Sequence, residues 1–186
     1  SSYGDSPYQS FSSFAGNPYF VDLDMFIEEG LLKEDDLDSL NFGDNDRYVD
    51  YAIQYNLRYR ILEKAYENSK GKLDKEIKEF RKKESFWIED YAMFMAIKHD
   101  NLDVSWLEWD DKLRDRDPEA LSEFKEKHQD DIDFYVFIQY EFFKQWKNLK
   151  EYANHKNIEI IGDLPIYVAL DSCDAWINSE ILAMDE

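Results

Sequence analysis

The stretch IEIIGDLPIYVALDS, residues 158–172, decides the fold. Ile158, Ile160, Ile161 and Leu164 form a compact apolar run bounded by Asn157 and Pro165. Coming after a long helical pattern, this run predicts a buried parallel strand over 158–164. Gly162 and Asp163 sit near its carboxyl end, which is where ligands bind in open sheets and barrels of α/β type. A carboxylate at the end of an apolar strand is costly to bury unless something pairs with it. Asp163 therefore reads either as a turn or helix-capping aspartate or as a site residue.

Upstream of this strand the patterns are helical. A helix is expected from about 133 to 154, with Phe134, Phe137, Ile138, Phe142, Trp146, Leu149 and Ala153 on its inner side. Asp117, Pro118 and Glu119 mark another helix start, aspartate as N-cap and proline first in the helix, running to about Lys127. Residues 100–117, with Trp106, Trp109 and many carboxylates, read as loop. Phe86 to Ile88 reads as a short strand and Tyr91 to Lys98 as a buried helix. Leu73 to Lys83 carries a weaker helical pattern, with Leu73, Ile77 and Phe80 on one face and lysines elsewhere. From Arg47 to about Ser69, Tyr48, Ala52, Tyr55, Tyr59, Leu62 and Tyr66 recur at spacings of three and four, giving one apolar face. Residues 22–38 read as a short helix interrupted at Gly30, then an acidic turn from Lys33. The stretch NFGDND, residues 41–46, reads as a breaker.

The first twenty residues read as loop. Ser6-Pro7 and Asn17-Pro18 fix turns, because proline presets φ and pushes its predecessor out of the helical region. The rings of Tyr3, Tyr8, Phe11, Phe14 and Tyr19 could stack on sugars or pin the loop down. Ser6 and Gln9 add hydroxyl and amide groups, and together these suit a neutral polyol.

Composition narrows the partners. The net charge of -20 argues against nucleic acid, since each phosphate contact needs a cation. It also argues against an anionic membrane surface. The basic stretch from Lys78 to Lys83 lies among acids and lacks interleaved aromatics, so it reads as solvated surface. No run approaches the roughly 20 apolar residues of a membrane span. The single cysteine, Cys173, excludes an internal disulfide and suggests a reducing compartment, the cytoplasm. His99, His128 and His155 are isolated in sequence, so no metal site is expected. No phosphate-cradling glycine loop is present, and no cofactor is expected. Cys173 has no histidine near it in sequence, so a nucleophile role is not expected. The first residue is not Met and turn chemistry begins at once, so the chain is expected to be part of a longer one.

Three stretches, YGDSPYQSFSSFAGNP at 3–18, FWIEDYAMFMAIK at 86–98 and QYEFFKQWKNLKEYANHKNIEIIGDLPIYVALDSCDAW at 139–176, resemble the 4-alpha-glucanotransferases, or amylomaltases, of the alpha-amylase clan. They occur in the same order as in that family, and the first and last are highly specific. The resemblance implies an α/β fold: a partial (β/α)8 TIM barrel with a large helical insertion, helix-dominated in this portion. Residues 1–40 would then hold an early barrel-strand loop and short helices. Residues 41–131 would be the helical insertion, with one short barrel strand near 86–90. Residues 132–186 would supply a barrel helix, the strand 158–164 and the following loop.

By the same resemblance the activity would be transfer of alpha-1,4-glucan segments between malto-oligosaccharides. The mechanism would be a retaining, two-carboxylate one in which a sugar hydroxyl replaces water. Ser6 and Tyr8 would contact substrate near the cleavage point. Asp163, in GDLPIYV, would support the chemistry by arranging the active-site network. Asp90, Asp171 and Trp176 would be framework residues. The catalytic nucleophile and acid/base would lie on later strands, outside this chain, so the remainder of the catalytic barrel would be its natural partner and these residues alone should be inactive. The composition and pattern also leave room for a non-catalytic alpha-glucan-binding module or a helical interaction domain. Cys173 departs from the small alanine usual in the family, a swap that a buried thiol tolerates.

Overall fold

The protein is seen here as a computed structural model that describes residues 8–38, 40–43, 47–163 and 167–182. Among these, all regular structure is helical: α1 Asp24–Glu28, α2 Glu34–Asp38, α3 Tyr51–Ser69, α4 Asp74–Lys83, α5 Ile88–Asp100, α6 Asp111–Arg114, α7 Pro118–Lys127, α8 Gln129–His155 and α9 Cys173–Ile177. Short 3-10 turns cover Pro18–Phe20 and Trp106–Glu108. No helix among the described residues is long and apolar enough to cross a membrane.

Local chemistry explains most boundaries. Asp117 caps α7 by accepting from the amides of Glu119 and Ala120, and Pro118 supplies the preset φ of the first turn. Asp50 caps α3 through the amide of Ile53. Gly71 follows α3 at φ +77°, a left-handed conformation that favours glycine. Gly30, at φ +68°, separates α1 from the acidic helix α2.

Two strands expected from the sequence are not formed among the described residues. Residues 84–87 form a turn and Ile88 already begins α5, so there is no strand near 86–90. The physical reason is burial on several sides: Ile88, Tyr91, Ala92, Phe94, Met95, Ala96 and Ile97 are all buried, and such a pattern carries no period that separates strand from helix. Residues 158–163 carry no regular structure, and Leu164 lies outside the described residues. A strand exists only as half of a hydrogen-bonded ladder, and among the described residues no second strand is present to pair with it.

The chain divides into two compact units. The first takes residues 8–15 and 83–136 and, at the C-terminal end, 160–163 and 167–182. Its core is aromatic. Phe94, fully buried on α5, lies 5.4 Å from Trp109, 5.8 Å from Trp176 and 6.2 Å from Phe11, measured between ring centres. Trp176 anchors α9 by donating its indole N–H to the carbonyls of Leu113 and Arg114.

The second unit takes residues 16–82 and 137–159, apart from those outside the described set. Phe137 of α8 is its centre, 6.0 Å from Phe26 and 5.6 Å from Tyr66. Two glutamines of α8 each grip a backbone segment by donor and acceptor together. Gln139 pairs with the N–H and C=O of Gly16 at 2.7 and 3.0 Å, and Gln145 with those of Asp22 at the same distances. The Arg58 guanidinium donates to the carbonyls of Pro18 and Val21.

The inner faces differ from expectation in part. On α3 the buried residues are Ile61, Leu62, Ala65, Tyr66 and Ser69, while Tyr55 and the preceding Tyr48 are exposed. On α8, Phe134, Phe137, Ile138 and Ala153 are buried, but Trp146 and Leu149 are exposed. Period alone marks a face as apolar; it does not say how much of that face a neighbour covers.

Candidate functional site

The candidate site belongs to the first unit and is built around the loop at residues 8–15. Serines shape the loop. Ser12 is buried, and its hydroxyl accepts from the amides of Phe14 and Ala15 at 3.1 and 3.3 Å. Ser10 donates its hydroxyl to the Ser12 carbonyl. The ring of Phe11 is half-buried, with Phe94 on one side and the Lys98 ammonium 5.1 Å from its centre.

Helix α9 holds this loop. Ser172 sets the start of the helix, accepting from the amide of Ala175 and donating to the Ala169 carbonyl. The Cys173 amide, left without an intrahelical acceptor at a helix start, donates to the Phe11 carbonyl at 2.8 Å. The Asp174 carboxylate accepts from the Ser13 amide at 2.6 Å. The two bonds fix the backbone of residues 11–13 from both its donor and its acceptor side.

Tyr8 precedes this fixed segment and is 66% exposed. Phe14 and Phe86 are also exposed and meet edge to face, ring centres 5.2 Å apart. The loop thus offers solvent-facing rings among hydroxyl and amide groups. Such a rim can stack on an uncharged sugar and hydrogen-bond its hydroxyls. Asp163 belongs to the same unit as Tyr8. It is exposed, and among the described residues its carboxylate has no hydrogen-bond or ion-pair partner. Ser6 lies outside the described residues.

The expected framework residues are structural pins. Lys98, 3% exposed at its side chain, pairs with Asp171 at 2.7 Å and donates to the Val104 carbonyl. The other Asp171 oxygen accepts from the Trp106 amide, and the Trp106 indole donates to the Leu170 carbonyl. Asp90 pairs with Arg116 at 2.8 Å, and that guanidinium lies over the Trp176 ring. Cys173 is buried, and burial pushes its thiol well up from the ordinary range, opposite to what a nucleophile needs. No three His, Cys, Asp or Glu side chains gather among the described residues in a way that could hold a metal ion.

Sequence reasoning missed Asp174, Gln139, Gln145 and Glu141. The last three carry a legible signal: they are polar residues within the apolar stretch FIQYEFFKQW, residues 137–146, where solvation cannot explain all of them. Asp174 carries none, since a first-turn aspartate in a short helix is ordinary.

Comparison with known proteins agrees with the resemblance. The sequence model of a family described as 4-alpha-glucanotransferase matches residues 1–186. A 4-alpha-glucanotransferase of Clostridium butyricum is 48% identical over 185 residues, covering 100% of this chain and 38% of that protein. One from Thermus thermophilus is 42% identical over 188 residues, covering 99% of this chain and 37% of its own length. Among solved structures, an amylomaltase from Streptococcus agalactiae in complex with acarbose matches with a TM-score of 0.94 at 41% identity, over 98% of this chain and 37% of that one. The chain spans little more than a third of the length of these relatives.

Proposed function

Because this chain belongs to the 4-alpha-glucanotransferase family, we propose that it forms the early part of an enzyme that moves alpha-1,4-glucan segments from one malto-oligosaccharide to another. The observation that carries this reading is the match of the family over every residue of a chain whose exposed, uncharged, ring-bearing loop suits a neutral sugar polymer. Tyr8 stacks on a sugar near the point of cleavage and Ser6 contacts its hydroxyls. Asp163, at the tip of a barrel strand in the complete enzyme, hydrogen-bonds within the active-site network and supports the chemistry.

The reaction is a retaining double displacement. One carboxylate attacks the anomeric carbon while another protonates the leaving glycosidic oxygen. The 4-hydroxyl of a second glucan then takes the sugar from the covalent intermediate, its proton returning to the same acid/base. The catalytic carboxylates lie outside these 186 residues, on later strands of a (β/α)8 barrel. No cofactor or metal enters this scheme. The cytoplasm fits a chain with a single cysteine.

The test is incubation of the full-length protein with maltotriose. Release of glucose together with malto-oligosaccharides longer than the substrate is expected; an unchanged distribution of chain lengths refutes the proposal. The acarbose found in the amylomaltase structure supports the choice of a maltose-like ligand, so inhibition by acarbose is a second check.

A further inference from the structure

We propose that Asp174 is a positioning residue for Tyr8, acting through the backbone of the loop between them. This rests on the reading of Tyr8 as a substrate contact. Tyr8 exposes two thirds of its surface. Surface loops are the most mobile parts of a fold. A ring that stacks on a sugar must be held to within about half an ångström of its working place to bind well.

Two independent bonds hold the backbone next to it. The Cys173 amide donates to the Phe11 carbonyl, and the Asp174 carboxylate accepts from the Ser13 amide at 2.6 Å. Neighbouring residues 173 and 174 thus read residues 11 and 13 as a strand partner would, one bond in each direction. Asp174 is the one part of this clasp that a side-chain substitution can remove. The bond is short and charge-assisted, the stronger class of hydrogen bond. The half-buried Phe11 ring packs against Phe94, and Tyr8, three residues earlier in the chain, is largely exposed. Holding the loop before substrate arrives lowers the ordering cost of binding. Asp174 touches no substrate in this scheme.

The test is a double-mutant cycle in the full-length enzyme. Asp174→Ala is expected to lower kcat/KM for maltotriose roughly tenfold, mainly through KM, the loss of one charge-assisted hydrogen bond. Asp174→Asn keeps an acceptor oxygen and is expected to recover activity to within about threefold of the parent. In a Tyr8→Ala background, Asp174→Ala is expected to change kcat/KM by less than about twofold, since the residue through which it acts is gone. A full tenfold loss in both backgrounds overturns the positioning role and leaves Asp174 a general structural residue. If Asp174→Ala does not fold, the same cycle is run with Asp174→Asn and Asp174→Ser, and additive losses again overturn the role. A parent enzyme with no transfer from maltotriose overturns the functional reading and the role of Tyr8 with it, so the two failures are told apart.

Discussion

Glu141 has no exposed surface, yet it is an acid in the middle of α8. Lys144 lies 2.6 Å from it and 2.6 Å from Glu29, bridging the two carboxylates. Burial nevertheless dominates and pushes the Glu141 carboxyl up from its usual 4.5 to about 7. A folded-state value above the unfolded one means that the folded protein holds the proton more tightly. The stabilisation is full below about pH 4.5 and is lost as pH rises through about 7. Relative to Glu141→Gln, which never ionises, the parent should lose on the order of 3 kcal/mol between pH 4.5 and 8. Parallel urea titrations of the two proteins across that range measure this directly. A difference that stays flat or grows in the parent's favour contradicts it. A second residue in the same unit, Gly16, is required for space: a Cβ there would lie only 2.0–2.3 Å from atoms of the Phe142 ring. Gly16→Ala is expected to cost about 1–3 kcal/mol, read as a lower urea midpoint.

Elements behave according to how local their causes are. The sequence predicts α7 from its cap and proline alone, and the structure has it at Pro118–Lys127. Asp117 satisfies two orphan amides, so Asp117→Ala should lower stability by about 1 kcal/mol, while Asp117→Ser should restore most of it; thermal melts check both. Helix α5 shows the opposite case. Its buried residues surround the axis, so the strand expected near its start could not be excluded by pattern. Helix α3 lies between: its existence follows from periodicity and the Asp50 cap, but its covered half, from Ile61 to Ser69, depends on neighbours distant in sequence.

At the scale of the whole molecule, the run that begins at Ile158 is where the barrel reading is tested. Ile161 is 93% exposed, and Tyr167 and Leu170 are exposed further on. If this run is a barrel strand in the complete enzyme, Ile161 is covered there. Ile161→Asp should then destabilise the full-length protein by more than about 2 kcal/mol, since it buries an unpaired carboxylate. The same substitution in the 186-residue polypeptide should shift its melting temperature little, because the side chain is already in water. Equal effects in both proteins would count against a barrel strand here. The short polypeptide is also expected to leave maltotriose unchanged, because it lacks the carboxylates of the double displacement.

What the sequence determined by itself was local, or carried by long motifs: helix starts at caps and prolines, breaks at glycines, and the family through three long stretches. Asp171 and Trp176 were expected as framework through the resemblance of their motif, and the structure shows the contacts they make: Asp171 with Lys98 and Trp106, Trp176 with Leu113 and Arg114. The tertiary structure alone decided that Asp174 meets Ser13, that Gln139 and Gln145 grip Gly16 and Asp22, and which half of α3 is covered. These pairs are separated by more than a hundred residues of chain, or depend on coverage by another element. Local propensity and period do not encode such long-range contacts; they are chosen by the packing of the whole.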